Sequence, residues 1–312
     1  MKKWFSPFLI LFFGYLLTAP AAALTSAREG LLLWYHSILP TLLPFMLLCT
    51  LALRLGLLDD WMQKLYRPFH RLTGCSAYGA FAILTGFFCG FPMGAKITHD
   101  LLAEKKISQS EADWLMGFVN NLSPGFLLSY AAYEQMQLTS GRFLIPANVL
   151  GSALLYGILT SIRRRHTFLR NRSADISVIP DADTLFPIID DCINSTVKSM
   201  LQLGIYIMMF SLLGSMLGSL LPTGHIISLL FCAVIEVTGG IHLLADSTLP
   251  FSIRFILVNA LCSFGGICAL AQTAGIASMD RQILHSYIKS RVMITLLSIL
   301  SSCVSFLFCF LF

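Results

Sequence analysis

Charge is scarce in this chain. Only 12% of its 312 residues are Asp, Glu, Lys or Arg, where a soluble domain carries about a quarter. Such a shortage argues against a chain solvated on all sides. The hydrophobic share is 56%, in apolar runs repeated along the whole length. Together these describe a polytopic membrane protein whose regular structure is helical, because lipid offers the backbone no hydrogen-bond partners. No Cys-x-x-Cys pair occurs among the nine cysteines. Cys49, Cys89, Cys232, Cys262, Cys268, Cys303 and Cys309 lie in apolar runs, where they read as small buried hydrophobes. The histidines show no metal spacing, and no Gly-x-Ser-x-Gly or other nucleophile signature is present. The expectation is therefore a non-enzyme without metal or cofactor. The net charge of +5 comes largely from basic clusters beside apolar spans. That pattern fits membrane topology and not nucleic-acid binding.

A spanning helix needs roughly 20 apolar residues. Residues 4–24, 31–57, 114–134, 142–162, 199–221, 226–245 and 288–311 meet that need. Residues 1–24 are read as an uncleaved first span, with a cleaved signal peptide as the alternative. Two further apolar stretches, 77–95 and 252–275, are interrupted by Gly and Pro and read as re-entrant or discontinuous helices. Residues 58–73 read as an interfacial helix, and Ser108 with Glu111 as a capping box. The positive-inside rule places Lys2 and Lys3 and the Arg163-Arg164-Arg165 cluster in the cytoplasm. Counting spans then requires 77–95 to enter and return on one side.

The two halves show a weak internal repeat, 25–162 and 199–312, joined by a basic cytoplasmic linker at 163–198. Setting Gly90 on Gly266 brings Lys96 onto Gln272. With the topology above, the repeat is inverted. Inverted repeats with paired broken helices place a solute site where the breaks meet.

Four segments carry the candidate chemistry. In Gly86–Lys96 (GFFCGFPMGAK), Gly86, Gly90 and Gly94 are spaced by four, and Phe91-Pro92 removes a backbone donor in mid-segment. Glycine spacing alone also fits close helix packing. Asn120, Asn121, Ser123 and Pro124 stand inside an apolar stretch, where polar side chains need a ligand, a water cavity or interhelical partners. Glu236 follows the apolar run Ile226–Ile235 and precedes Thr238. It is a candidate for proton coupling or gating, or else a paired carboxylate. Ser263, Gly265, Gly266 and Gln272 form the second broken segment. These groups suit a small polar or anionic solute.

The same motifs, taken in order from Gly86–Lys96 through Asn120–Phe126 and Glu236–Gly240 to Ser263–Gln272, resemble the sporulation integral membrane proteins of the YlbJ type. That family carries the nucleoside-recognition, or Gate, domain. The resemblance implies a multi-pass protein of a bacterial cell membrane or a forespore-associated membrane. It implies transport during sporulation, with dipicolinate or another small anion as cargo. A nucleoside-type carrier and a structural scaffold of the developing spore are the alternatives. Homo-oligomerisation is left open.

Overall fold

The computed structural model describes residues 2–57, 59–169, 182–221 and 226–310. All regular structure among these residues is helical. Helix α1 (Lys2–Thr18) is followed by α2 (Pro20–Leu33), which passes through a π-helical turn (Trp34–Ile38) into α3 (Leu39–Arg54). Then come α4 (Asp59–Thr73), α5 (Ala77–Cys89), α6 (Met93–Ala103) and α7 (Gln109–Met116). Helix α8 starts as Pro124–Phe126 and continues as a π-helix over Leu127–Gln135. The rest are α9 (Leu144–Leu169), α10 (Ala182–Leu220), α11 (Ile226–Ile235), α12 (Val237–Ala245), α13 (Phe251–Phe264), α14 (Gly266–Ile276) and α15 (Arg281–Phe310). Among the described residues four helices are long and apolar enough to cross a membrane: Leu144–Ile162, Leu185–Leu220, Phe251–Ile276 and Arg281–Phe308.

Residues 4–24 do not form one straight span. Leu9–Thr18 and Pro20–His36 meet at 106°, because Pro20 supplies no N–H and disfavours helical backbone at Ala19. The next expected span, 31–57, is likewise not a plain α-helix. Pro40 would clash with the carbonyl four residues back, and the preceding turn widens into the π-helix, closed by Leu39 N–H on the Trp34 carbonyl. The basic cluster Arg163–Arg165 lies on the final turns of α9, while residues 170–181 of the expected linker lie outside the described residues.

Helices α5 and α6 form a hairpin with its tip at Gly90–Pro92. Gly86 faces Gly94 across it, and both pack on the Val119 carbonyl, where a Cβ at either glycine would overlap that oxygen. The open ends of the hairpin lie together. Lys106 Nζ stands 5.3 Å from the Tyr78 ring centre, and Ser76 N–H donates to Glu111 Oε1 at 2.7 Å. Ser108 does cap Glu111 N–H, as its spacing predicts. Arg54 at the end of α3 joins the same cluster through Glu104 (3.5 Å) and Asp191 of α10 (3.6 Å). One end of the bundle thus gathers the charged connectors that the sequence places on the cytoplasmic side. Residues 77–95 turn back at Gly90–Pro92, which is the shape a re-entrant segment has.

The segment 114–134 is interrupted, contrary to the expectation of a plain span. Helix α7 stops at Met116 and α8 starts at Pro124. Helix α9 runs antiparallel beside both pieces. Trp114 Nε1 donates to the Gly157 carbonyl, and the far part of α8 shares an apolar core with Ile145 and Val149.

In the second half one expected span is itself a hairpin. Residues 226–245, expected to span, form a second hairpin (α11–α12) with its tip at Glu236, where Gly240 packs against the Ala233 carbonyl. Residues 252–275, read as a re-entrant or a discontinuous helix, take the second form: a long broken helix (α13–α14) along α15. The register is marked by Phe255 beside Phe306, Ser298 Oγ donating to the Asn259 carbonyl, and Thr273 near the Tyr287 hydroxyl. The alignment of Gly90 on Gly266 is therefore replaced. Hairpin tip corresponds to hairpin tip, and the 117–123 break corresponds to Gly265–Gly266. Each half is a hairpin, then an interrupted helix, then a continuous one. The second hairpin enters from the opposite end, since His242 Nδ1 lies 3.0 Å from Gln135 Oε1 at the far end of α8.

Candidate functional site

The interruptions cross in pairs. At Gly90 a Cβ would lie 2.7 Å from the Ser123 nitrogen, so the first tip rests on the first break. At Gly266 a Cβ would lie 3.1 Å from the Val234 carbonyl oxygen and 3.3 Å from the Val237 nitrogen, so the second tip rests on the second break. Gly265 has φ +87°, a left-handed conformation open to glycine at little cost, and its bare Cα accepts the edge of the Phe91 ring. Phe91 thus joins the two pairs.

Where the pairs meet lies a cavity of about 1000 Å³ whose lining extends to the exposed Tyr133, Arg142 and Phe143. Its inner end is made by Gly90, Phe91, Ser123, Glu236, Thr238 and Gln272; its walls are mostly apolar side chains of α2, α3, α8 and α10. Ser123 caps the start of α8 by accepting from Phe126 N–H at 3.2 Å. Glu236 caps α12, with one oxygen accepting from Thr238 N–H at 2.9 Å and the other from Gly239 N–H at 2.7 Å. Tyr130 on α8 donates to the Thr238 carbonyl at 2.9 Å, tying the second tip to the first interrupted helix. Gln272 Nε2 donates to Cys268 Sγ at 3.0 Å on the cavity wall.

Of the residues expected at a solute site, six line this cavity. The others do not, for definite reasons. Lys96 is buried away from it and donates to Asp100 Oδ2 at 2.8 Å and Ser195 Oγ at 3.2 Å, so its charge is already matched. Gly86 and Gly94 serve helix packing. Pro92 is buried within the hairpin tip, and Pro124 forms the first turn of α8. Asn120 has its donors and acceptor engaged: Oδ1 accepts from Ala95 N–H, and Nδ2 donates to Thr273 Oγ1 at 2.8 Å and the Tyr287 hydroxyl at 3.2 Å. Asn121 Nδ2 donates to the Phe118 carbonyl. Ser263, Gly265 and Gly266 lie behind Phe91, not on the cavity surface.

One residue in the cluster escapes the sequence reading. Arg291 of α15 is 0% exposed. Its Nη1 donates to Asn121 Oδ1 at 3.2 Å and to the Ser263 carbonyl at 3.3 Å, thereby joining both broken helices. The signal was available: an arginine inside the candidate span 288–311 is expensive in hydrocarbon and marks a functional position. Tyr287, one turn earlier, completes a septum with Asn120 and Thr273. On its other side lies a second recess of about 450 Å³, lined by Gln109, Asp113, Asp280 and Gln282.

Interrupted helices whose freed backbone faces a cavity, two oppositely inserted hairpins and several apolar spanning helices define a multi-pass helical membrane protein. At the level of sequence the chain is similar to the sporulation integral membrane protein YlbJ of Bacillus subtilis (strain 168). The two are 27% identical over 307 aligned residues, covering 87% of this chain and 74% of YlbJ. The YlbJ-type resemblance read from the motif order thus extends over most of the chain. No family model matches the sequence, and no solved structure matches it.

Proposed function

We propose that this protein is a membrane carrier for a small polar or anionic metabolite, acting in sporulation as the name of its relative indicates. The observation that carries this reading is the cavity ending on the crossed helix interruptions. Non-helical backbone at membrane depth is tolerated where it lines a water-filled space or is buried in protein. Here it does both. Carriers built from oppositely oriented repeats bind solute where such breaks meet. Dipicolinate is the first cargo to test, on the YlbJ-type resemblance; a nucleoside is the second, on the Gate-type kinship. The polar septum formed by Asn120, Thr273 and Tyr287 would close the path between the two recesses in this conformation.

The test is solute uptake by the full-length protein in proteoliposomes, using labelled dipicolinate and labelled uridine, with and without a pH gradient. Saturable, protein-dependent uptake of either solute is expected. Absence of flux for both, from protein that is monodisperse and thermally cooperative, would favour a scaffold role and reject the carrier reading.

A further inference from the structure

The Arg291 guanidinium is a charge without a counter-charge. An arginine side chain does not give up its proton in a protein, so the cation persists when buried. Taking such a charge out of water costs several kcal/mol, and that cost is recovered only by an opposite charge and well-made hydrogen bonds. Among the described residues no carboxylate lies within ion-pair distance of Arg291. The acceptors of Nη1, Asn121 Oδ1 and the Ser263 carbonyl, are neutral, and so are the Tyr287 and Tyr156 hydroxyls that also act on the guanidinium. Nε and Nη2 have no acceptor, and the buried hydroxyl of Ser263 has no partner either.

Two aromatic rings flank the cation. Its central carbon lies 5.6 Å from the Phe91 ring centre and 5.3 Å from that of Tyr287. Ring faces attract a cation but satisfy no N–H donor. Phe91 has a second property: it lines the cavity. One ring therefore separates a solvent-connected space from an unmatched guanidinium whose free donors include a planar N–H pair.

Resting on the carrier reading above, we propose that Arg291 is the anion-binding centre of this protein, that its ligands are carboxylate-bearing solutes, and that the Phe91 ring is the cover they displace to reach it. A carboxylate suits the unpaired donors, because two parallel N–H groups of a guanidinium match its two oxygens. Phe91 is placed to move, since it sits at a hairpin tip and rests on Gly265, which has no side chain to hold it. The same chemistry disfavours a neutral nucleoside as the preferred cargo. No counter-charge would then reach the cation.

The experiment compares wild type, Arg291→Met and Arg291→Lys, purified at full length. Melting temperature is read with and without dipicolinate, with its uncharged dimethyl ester, and with uridine; uptake is read in proteoliposomes. For wild type, dipicolinate should raise the melting temperature and its diester should not. In Arg291→Met the melting temperature without solute should be equal or higher, because losing an unmatched buried charge outweighs leaving the neutral Asn121 Oδ1 and Ser263 carbonyl without their donor. Its apparent dipicolinate affinity should fall at least about thirty-fold, the lower end for removing one partner of a buried charge pair. Arg291→Lys should retain part of the response.

A large fall in the melting temperature of Arg291→Met without solute would make the arginine structural and overturn the proposal. Dipicolinate binding preserved in that variant would also overturn it. If Arg291→Met does not fold, the diester comparison on wild type decides: equal responses to the dianion and the diester reject the proposal. Wild-type uptake of uridine without any response to dipicolinate sinks the anion site and leaves the carrier reading standing. Absence of flux for every solute rejects both.

Discussion

At the scale of single residues, burial sorts the motif positions by what their atoms touch. Gly86 illustrates the packing case. Its Cα rests against the Val119 carbonyl in the first break, and there is no room for a methyl group. Gly125 is the contrast: it is exposed on the cavity side, and a Cβ there meets no atom within 4 Å. Gly86→Ala should destabilise by about 1–3 kcal/mol, the usual range for overpacking. Gly125→Ala should change stability by about 0.5 kcal/mol or less, as at an unconstrained surface position. Melting temperatures in one detergent check the pair. Asn120 makes the complementary point for a polar residue. Asn120→Ala leaves Tyr287, Thr273 and Ala95 N–H short of a partner, so a loss of about 1–3 kcal/mol is expected from the stranded groups. Asn120→Ala without any shift in melting would contradict the septum described above.

At the scale of elements, the hairpin tips explain most of what was legible and most of what was not. Gly90-Phe91-Pro92 announces itself, because glycine and proline in an apolar run have few other uses. The tip at Glu236 has neither glycine nor proline at the turn itself, so 226–245 reads as an ordinary span. Its break is held by side-chain capping: both Glu236 oxygens take backbone N–H groups at the start of α12. The break at 117–123 was partly legible, through the Pro124-Gly125 pair inside the apolar stretch. Its polar residues were legible as unusual, but whether they bind a solute or each other depends on α14 and α15, which lie about 150 residues away along the chain. Arg291 was not singled out although it lies inside the candidate span 288–311, and its depth shows only in three dimensions. The cap itself is testable. Glu236→Ala should cost about 0.5–2 kcal/mol, the usual range for losing a helix N-cap, and Glu236→Asp should recover part of it. If Glu236 also carries a coupling proton, Glu236→Gln, which keeps one of the two capping acceptors, should cost less stability than Glu236→Ala yet lose any acceleration of uptake by a pH gradient. Undiminished acceleration in Glu236→Gln would leave the carboxylate a cap only.

At the scale of the whole molecule, charge and geometry point to the same topology by independent routes. The basic and acidic connectors meet at one end, where Arg54, Glu104, Lys106 and Asp191 lie close together. The first hairpin opens at that end. The second opens at the other, near Gln135 and His242. Since a membrane protein retains more Lys and Arg on its cytoplasmic side, the arrangement to be tested puts the Arg54 end in the cytoplasm and the Arg142 end on the opposite face. Two exposed sites make this measurable: Gln109 at the start of α7 and Ser140 in the loop before α9. With the native cysteines replaced, Ser140→Cys should react with a membrane-impermeant maleimide in intact cells stripped of any wall. Gln109→Cys should react only after the membrane is opened. The assignment is demanding because α7 and α8 must then cross the membrane as one interrupted helix, although neither piece is long enough to do so alone. If both cysteines label from the same side, 109–135 returns where it entered, and the two halves are not oppositely inserted. The cavity would then lose its place between two faces of the membrane, and the carrier reading would lose its geometric basis.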